Sequence, residues 1–233
     1  MNWTIFWIIL IIGVILYVAW MFYSQREVAY LSILLYRQGN ADAYLKELDT
    51  FQGKLFFNKR LRSLMSIDAW MMKEDAQKLE EAFAYARDHR LPMGDRLLVL
   101  QKELVYCAQN EKTERGEDVF DQIEKLYESM GKKQQAKYAN ALQECRYTSS
   151  IDFHKSGKFA DELEKKAKEV KEDIPSGVYY YKAAQSWYLK KETKKCRDDL
   201  EKAAQKLKGT PNEKIIRDLL NTKDLEGILN VHF

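Results

Sequence analysis

Residues 3–23 read WTIFWIILIIGVILYVAWMFY and contain no charged side chain. Twelve of these positions are Ile, Leu, Val or Phe. At ~1.5 Å per residue, a helix over this stretch is about 31 Å long, matching the hydrocarbon core of a bilayer. Trp3, Phe6 and Trp7 stand at one end, and Tyr17, Trp20, Phe22 and Tyr23 at the other. Amphipathic rings collect at both borders of a membrane span, so Trp3, Trp7, Tyr17, Trp20 and Tyr23 are the expected interface anchors. A cleaved signal peptide would need a basic start, a shorter apolar core and a small-residue cleavage site, and none is present. A buried core helix rarely runs this long without a polar position. The expectation is a single transmembrane helix over 3–23. It holds no small-xxx-small pair, and so no packing motif for dimerisation.

Lysine and arginine near a span set its orientation. None precedes it, whereas Arg26, Arg37, Lys46, Lys54, Lys59, Arg60 and Arg62 follow it. The expected topology has the N-terminus outside and the remainder in the cytoplasm. Three widely spaced cysteines, Cys107, Cys145 and Cys196, suit a reducing compartment.

The rest of the chain is rich in Glu, Lys, Ala, Leu and Gln, with only three prolines and no β-branched alternation, which predicts an all-α class. A net charge of +3 with acidic and basic residues interspersed offers no polyanion-binding block, so nucleic acid is not an expected partner. Helical periodicity continues through Arg26–Gln38 with no linker, so the remainder should sit against the membrane. Further segments are expected at 54–72, 75–89, 95–109, 117–130, 134–156, 158–172, 176–191, 193–208 and 212–221. The segment at 134–156 carries the stripe Tyr138, Leu142, Cys145, Ser149 and Phe153.

These segments pair. Turns near 39, 73, 112, 157 and 192 recur at intervals of about 34–45 residues, and Pro92, Gly131, Pro175 and Pro211 each follow a turn at a similar offset. Proline costs about 3 kcal/mol inside a helix but little just past its end, so the placement is punctuation. The second helix of most units buries a triplet: Leu79/Phe83/Ala86, Val119/Ile123/Leu126 and Leu163/Ala167/Val170. With Tyr36-Arg37-Gln38-Gly39-Asn40 and His154-Lys155-Ser156-Gly157-Lys158-Phe159, this pattern resembles the tetratricopeptide repeat, a helix pair of 34 residues. Leu79, Val119 and Leu163 stand where that family has a small residue. The expected architecture is a transmembrane helix at 3–23, an α-solenoid of degenerate TPR-like helix pairs over 26–222, and a C-terminal tail at 223–233. Leu225, Ile228, Leu229, Val231 and Phe233 of the tail would cap the last repeat or serve as a docking segment.

Reactive chemistry is not indicated. His89, His154 and His232 stand at no metal-ligand spacing, the glycines form no phosphate loop, and no nucleophile elbow occurs. No cofactor is implied. Two stretches point to partners instead. Basic residues Lys54, Lys59, Arg60 and Arg62 stand among Phe51, Leu55, Phe56 and Phe57, close to the cytoplasmic end of the span. They are either packing and topology determinants or a contact with anionic headgroups. Tyr179, Tyr180, Tyr181, Trp187 and Tyr188 crowd one helix, and consecutive tyrosines cannot all face one core. Some must be exposed or meet a partner. The TPR resemblance implies a concave surface of first helices, on which Asn140, Gln143, Arg146, Tyr180, Lys182 and Gln185 would bind a protein or peptide. The expected function is a non-catalytic, membrane-anchored adaptor or scaffold. The alternatives are a membrane-bound enzyme or regulator with a site of scattered helix residues, and a structural subunit of a membrane complex.

Overall fold

The computed structural model describes residues 3–231 except Asp224 and Glu226; His232 and Phe233, considered above, lie outside these residues. Every regular element among the described residues is helical. The first is α1, Trp3–Ser32, extended by a π-helical turn at Ile33–Arg37. It is long and apolar enough to cross a membrane, and none of its apolar window is buried against the rest of the protein. That exposure sets it apart from a core helix.

The chain divides into two compact units between Arg90 and Leu91. In the first unit, Gly39 reverses the chain, and α2 (Ala41–Leu48) starts under an Asn40 cap that accepts a hydrogen bond from the Ala43 amide. Leu31, Leu34 and Leu35 then pack with Ala41, Tyr44 and Leu48, so α2 returns alongside the end of α1. Glu47 comes beside Glu27, and further along Phe56 reaches Trp20, their ring centroids 5.0 Å apart. A single helix expected over 54–72 is two: α3 (Phe51–Phe56) and α4 (Lys59–Met72). The break is local chemistry. Phe57 is extended, and the Asn58 side chain caps α4 by accepting from the Leu61 amide at 2.9 Å. Helix α5 (Ala76–Asp88), capped by Asp75, packs on α4 and completes the unit.

The second unit contains α6 (Met93–Gln109), α7 (Thr113–Glu128), α8 (Lys132–Thr148) with a π-helical turn at Ser149–Phe153, α9 (Ala160–Glu169), α10 (Asp173–Leu189), α11 (Thr193–Lys206) and α12 (Pro211–Asn221). Helix α6 packs on α7, α7 on α8 and its π-turn, α9 on α10, α10 on α11, and α11 on α12. Prolines open helices here. Pro92 is the cap of α6, Pro175 lies in the first turn of α10, and Pro211 begins α12, all places where the missing N–H is not needed.

Five chain reversals share one geometry. Gly39, Glu74, Glu111, Lys155 and Lys191 all have positive φ, within two residues of the turns expected from sequence. After α4, α6 and α10 the next amide bonds back five residues: Asp75 to the Trp70 carbonyl, Lys112 to Cys107 and Glu192 to Trp187. This is a Schellman closure with Glu or Lys where glycine is usual. After the two π-turns the same bond spans six residues, Asn40 to Leu34 and Ser156 to Ser150. One inserted residue per π-turn explains the difference.

Candidate functional site

From Ser176 onward, most of helix α10 is buried within its own unit. Its three consecutive tyrosines each meet a different neighbour. The Tyr179 hydroxyl donates to Glu144 of α8 at 2.7 Å. The Tyr180 ring lies under the Lys202 ammonium of α11, 5.2 Å from its centroid. The Tyr181 hydroxyl donates to the Ile228 carbonyl of the C-terminal tail at 2.7 Å. The partners anticipated for these tyrosines are thus supplied by the chain itself.

The tail is held by side chains gripping its backbone. Arg197 of α11 donates to the carbonyls of Leu220, Thr222 and Lys223 at 2.7–3.0 Å. Leu225 and Ile228 are fully buried in the core formed by α9, α10 and α11. The Gln185 amide donates to the carbonyls of Ile228 at 2.9 Å and Val231 at 3.3 Å. Burial pushes the Tyr181 hydroxyl well above its ordinary value, which keeps it a donor at neutral pH.

Beside the tail lies a small cleft of about 80 Å³. Val105 and Ala108 of α6, Thr148 of α8, Ile151 and Asp152 of the π-turn, and Val178, Tyr181, Lys182 and Gln185 of α10 line it, with Val231 as a further wall. The α10 residues stand at i, i+3, i+4 and i+7, one face of a helix. The lining combines apolar walls, neutral donors already committed to peptide carbonyls, and one charge of each sign, Asp152 and Lys182.

Behind the cleft, Glu144 ties three helices together. It accepts from Lys166 of α9 at 2.8 Å, from Tyr179 at 2.7 Å and from Lys182 at 3.2 Å. Burial would raise its carboxyl pKa; the Lys182 and Lys166 ammonium groups and the Tyr179 hydroxyl outweigh this and hold it below the ordinary carboxylate range. Lys166 is correspondingly raised, its own burial outweighed by the bond to Glu144.

Of the residues expected to bind a partner, Lys182 and Gln185 line the cleft. Tyr180 is buried and turned toward α11. Gln143 donates to Glu162 of α9 at 3.0 Å, and Arg146 to Glu124 of α7 at 3.2 Å, both outside the cleft. Asn140 is exposed on α8 and does not line it. Sequence reasoning missed Tyr181, Val178, Ile151, Thr148 and Val105. The α10 spacing carried the signal for the first two, one residue out of phase with the family-derived assignment. The inserted π-turn residue disguised the third.

In the first unit, Lys54 pairs with Asp49 at 3.0 Å, and Arg60 is exposed on α4. Lys59 and Arg62 line an open groove between α2 and α4, together with Lys46. Trp3, Trp7, Tyr17, Trp20 and Tyr23 are all exposed along α1.

Among the described residues, no group of three or more His, Cys, Asp or Glu is placed to hold a metal ion. Neither histidine nor cysteine lines the cleft. No family model, curated protein or solved structure matches the chain. What the fold defines is an all-helical protein of two compact units with one N-terminal helix fit to span a membrane.

Proposed function

We propose that this protein is a single-pass membrane adaptor that holds a protein or peptide partner at the cytoplasmic surface, on a degenerate TPR-like array of helix pairs, without catalysing a reaction. One observation carries the reading: Tyr181 and Gln185 grip the main-chain carbonyl of Ile228, which opens a single 3-10 turn of the tail, beside a cleft between α6, α8 and α10. Main-chain recognition by neutral donors between apolar walls is peptide-binding chemistry. The topology, N-terminus outside, follows the excess of Lys and Arg after the span.

A photoreactive side chain at Val105, on the rim of the cleft, tests this in membranes containing the full-length chain. Adducts with a protein of defined mass are expected at Val105 and not at Ile215, which is exposed on α12 outside the cleft. Ala108→Trp, which fills the cleft, should abolish them. Adducts of equal yield at both positions, or adducts insensitive to Ala108→Trp, would overturn the proposal.

A further inference from the structure

We infer that α3 is a second membrane contact: a short foot that lays Phe51 and Leu55 into the cytoplasmic interface of a bilayer carrying anionic headgroups. The inference rests on α1 crossing the membrane, and it adds a lipid-binding surface to that anchor.

Three observations fix the placement. First, depth. Trp20 belongs to the aromatic group that closes the span, and the Phe56 ring of α3 lies 5.0 Å from it. Past Trp20, α1 continues for a further twelve residues to Ser32, about 18 Å at 1.5 Å per residue. The chain then turns at Gly39 and α2 comes back along α1, so α3 is returned to the level at which α1 leaves the membrane.

Second, direction. A Cβ on Gly53 would stand 2.5 Å from the Glu47 carbonyl and 2.7 Å from that of Leu48, so α3 is laid directly under the last turn of α2. Phe51 and Leu55 each lie about 200° around the helix from Gly53, at 100° per residue. They therefore face away from α2, onward in the direction of its descent toward the membrane.

Third, composition. Phe51 is 80% exposed and Leu55 48%, although Phe56 and Phe57 of the same run are packed inside. Lys54 stands on α3 itself, and Lys59 and Arg60 open the next helix, both exposed. Apolar side chains flanked by lysine and arginine at the membrane level are the combination that partitions into an anionic interface.

The native cysteines are all buried, so a fluorophore sensitive to spin-labelled lipid can be placed on single introduced cysteines. Full-length protein is reconstituted at low density into phosphatidylcholine vesicles with and without phosphatidylserine. Labels are compared at Ile11→Cys, Phe51→Cys, Leu55→Cys and Gln77→Cys, the last exposed on α5. Quenching at 51 and 55 should exceed that at 77 several-fold. It should increase with phosphatidylserine, and Lys59→Glu with Arg60→Glu should remove the increase. If Ile11 is quenched but 51 and 55 match 77, the foot is wrong and the span stands. If Ile11 is not quenched, both fall. A label at 51 shielded from aqueous iodide but silent to spin-labelled lipid would assign this face to a protein neighbour and overturn the inference. Quenching that ignores both phosphatidylserine and charge reversal would overturn the headgroup half of it.

Discussion

The Gln185 side chain on α10 donates a 2.9 Å hydrogen bond to the carbonyl of Ile228, forty-three residues along the chain. It shares that acceptor with the Tyr181 hydroxyl, so two neutral donors one helical turn apart hold a single point of the tail. The tail is thereby part of the fold of the second unit and a wall of its cleft.

Ending the chain after Lys223 should therefore destabilise the C-terminal helices. Losing the burial of Leu225 and Ile228 corresponds to about 3–6 kcal/mol, as an upper bound. Hydrogen exchange on the detergent-solubilised chain should show lost protection in α10 and α11 and little change in α2 or α4. Gln185→Ala alone should cost about 1 kcal/mol, because Tyr181 still satisfies Ile228.

The left-handed residues at the chain reversals are a second target. Glu111 and Lys191 have φ of 54° and 62°, where a side chain costs about 1–2 kcal/mol that glycine does not incur. Both are exposed. Glu111→Gly and Lys191→Gly should each raise the thermal midpoint, with a gain of about 0.5–1 kcal/mol after glycine's greater unfolded-state entropy is allowed for. Circular dichroism melts would read it.

Gly116 sits where a Cβ would stand 2.3 Å from the Phe153 ring. Phe153 is buried and belongs to a π-turn, so it has little room to give. Gly116→Ala should cost about 1–3 kcal/mol by overpacking. Gly94→Ala meets only the tip of the Tyr138 side chain, at 2.5 Å from its hydroxyl, and should be milder. Chemical denaturation of the pair separates the two cases.

Glu144 makes the second unit sensitive to acid. Its folded pKa is depressed, so its contribution is present above the unfolded value of 4.5 and is lost as pH falls through the lower folded value. Denaturation between pH 7 and pH 3 should show stability falling in that window for the native chain. Glu144→Gln should flatten this part of the profile and cost about 1–2 kcal/mol at pH 7, a magnitude reduced by the group's partial exposure.

The thiols should be silent in the folded protein. Cys107, Cys145 and Cys196 are buried. Burial pushes the Cys145 thiol up to about 11 and that of Cys196 up to about 12, so little thiolate exists at neutral pH. Maleimide labelling followed by mass spectrometry should find all three unmodified until denaturant is added. A topology assay by thiol labelling consequently needs an introduced surface cysteine, such as Gln205→Cys.

Much of the local structure was legible in advance. Of the stripe Tyr138, Leu142, Cys145, Ser149 and Phe153 all but the half-buried Tyr138 are buried; the triplets Leu79/Phe83/Ala86 and Val119/Ile123/Leu126 are buried as sets, and in Leu163/Ala167/Val170 only Val170, just past the end of α9, is half-buried. Helical periodicity reports which face is covered, and it survives the single inserted residue of a π-turn because the shift falls at the end of the stripe. The site was less legible. The TPR resemblance placed Tyr180 on the binding face, one position from Tyr181, and one residue on a helix is about 100° of rotation. Asn58 was read through as helix because a cap and an interior asparagine look alike until the amide it serves is known.

The amino-acid sequence by itself determined the helical class, the apolar rod at the N-terminus, and the phase of most buried faces, since these follow from composition and period within one segment. Only the tertiary structure decided what covers each face: that α3 comes back to Trp20, that the tail closes over Tyr181 and Gln185, and that each tyrosine of α10 has its own neighbour. A periodic pattern states that a surface is withdrawn from water. The partner that withdraws it is chosen by contacts between residues tens of positions apart, and no single segment encodes these.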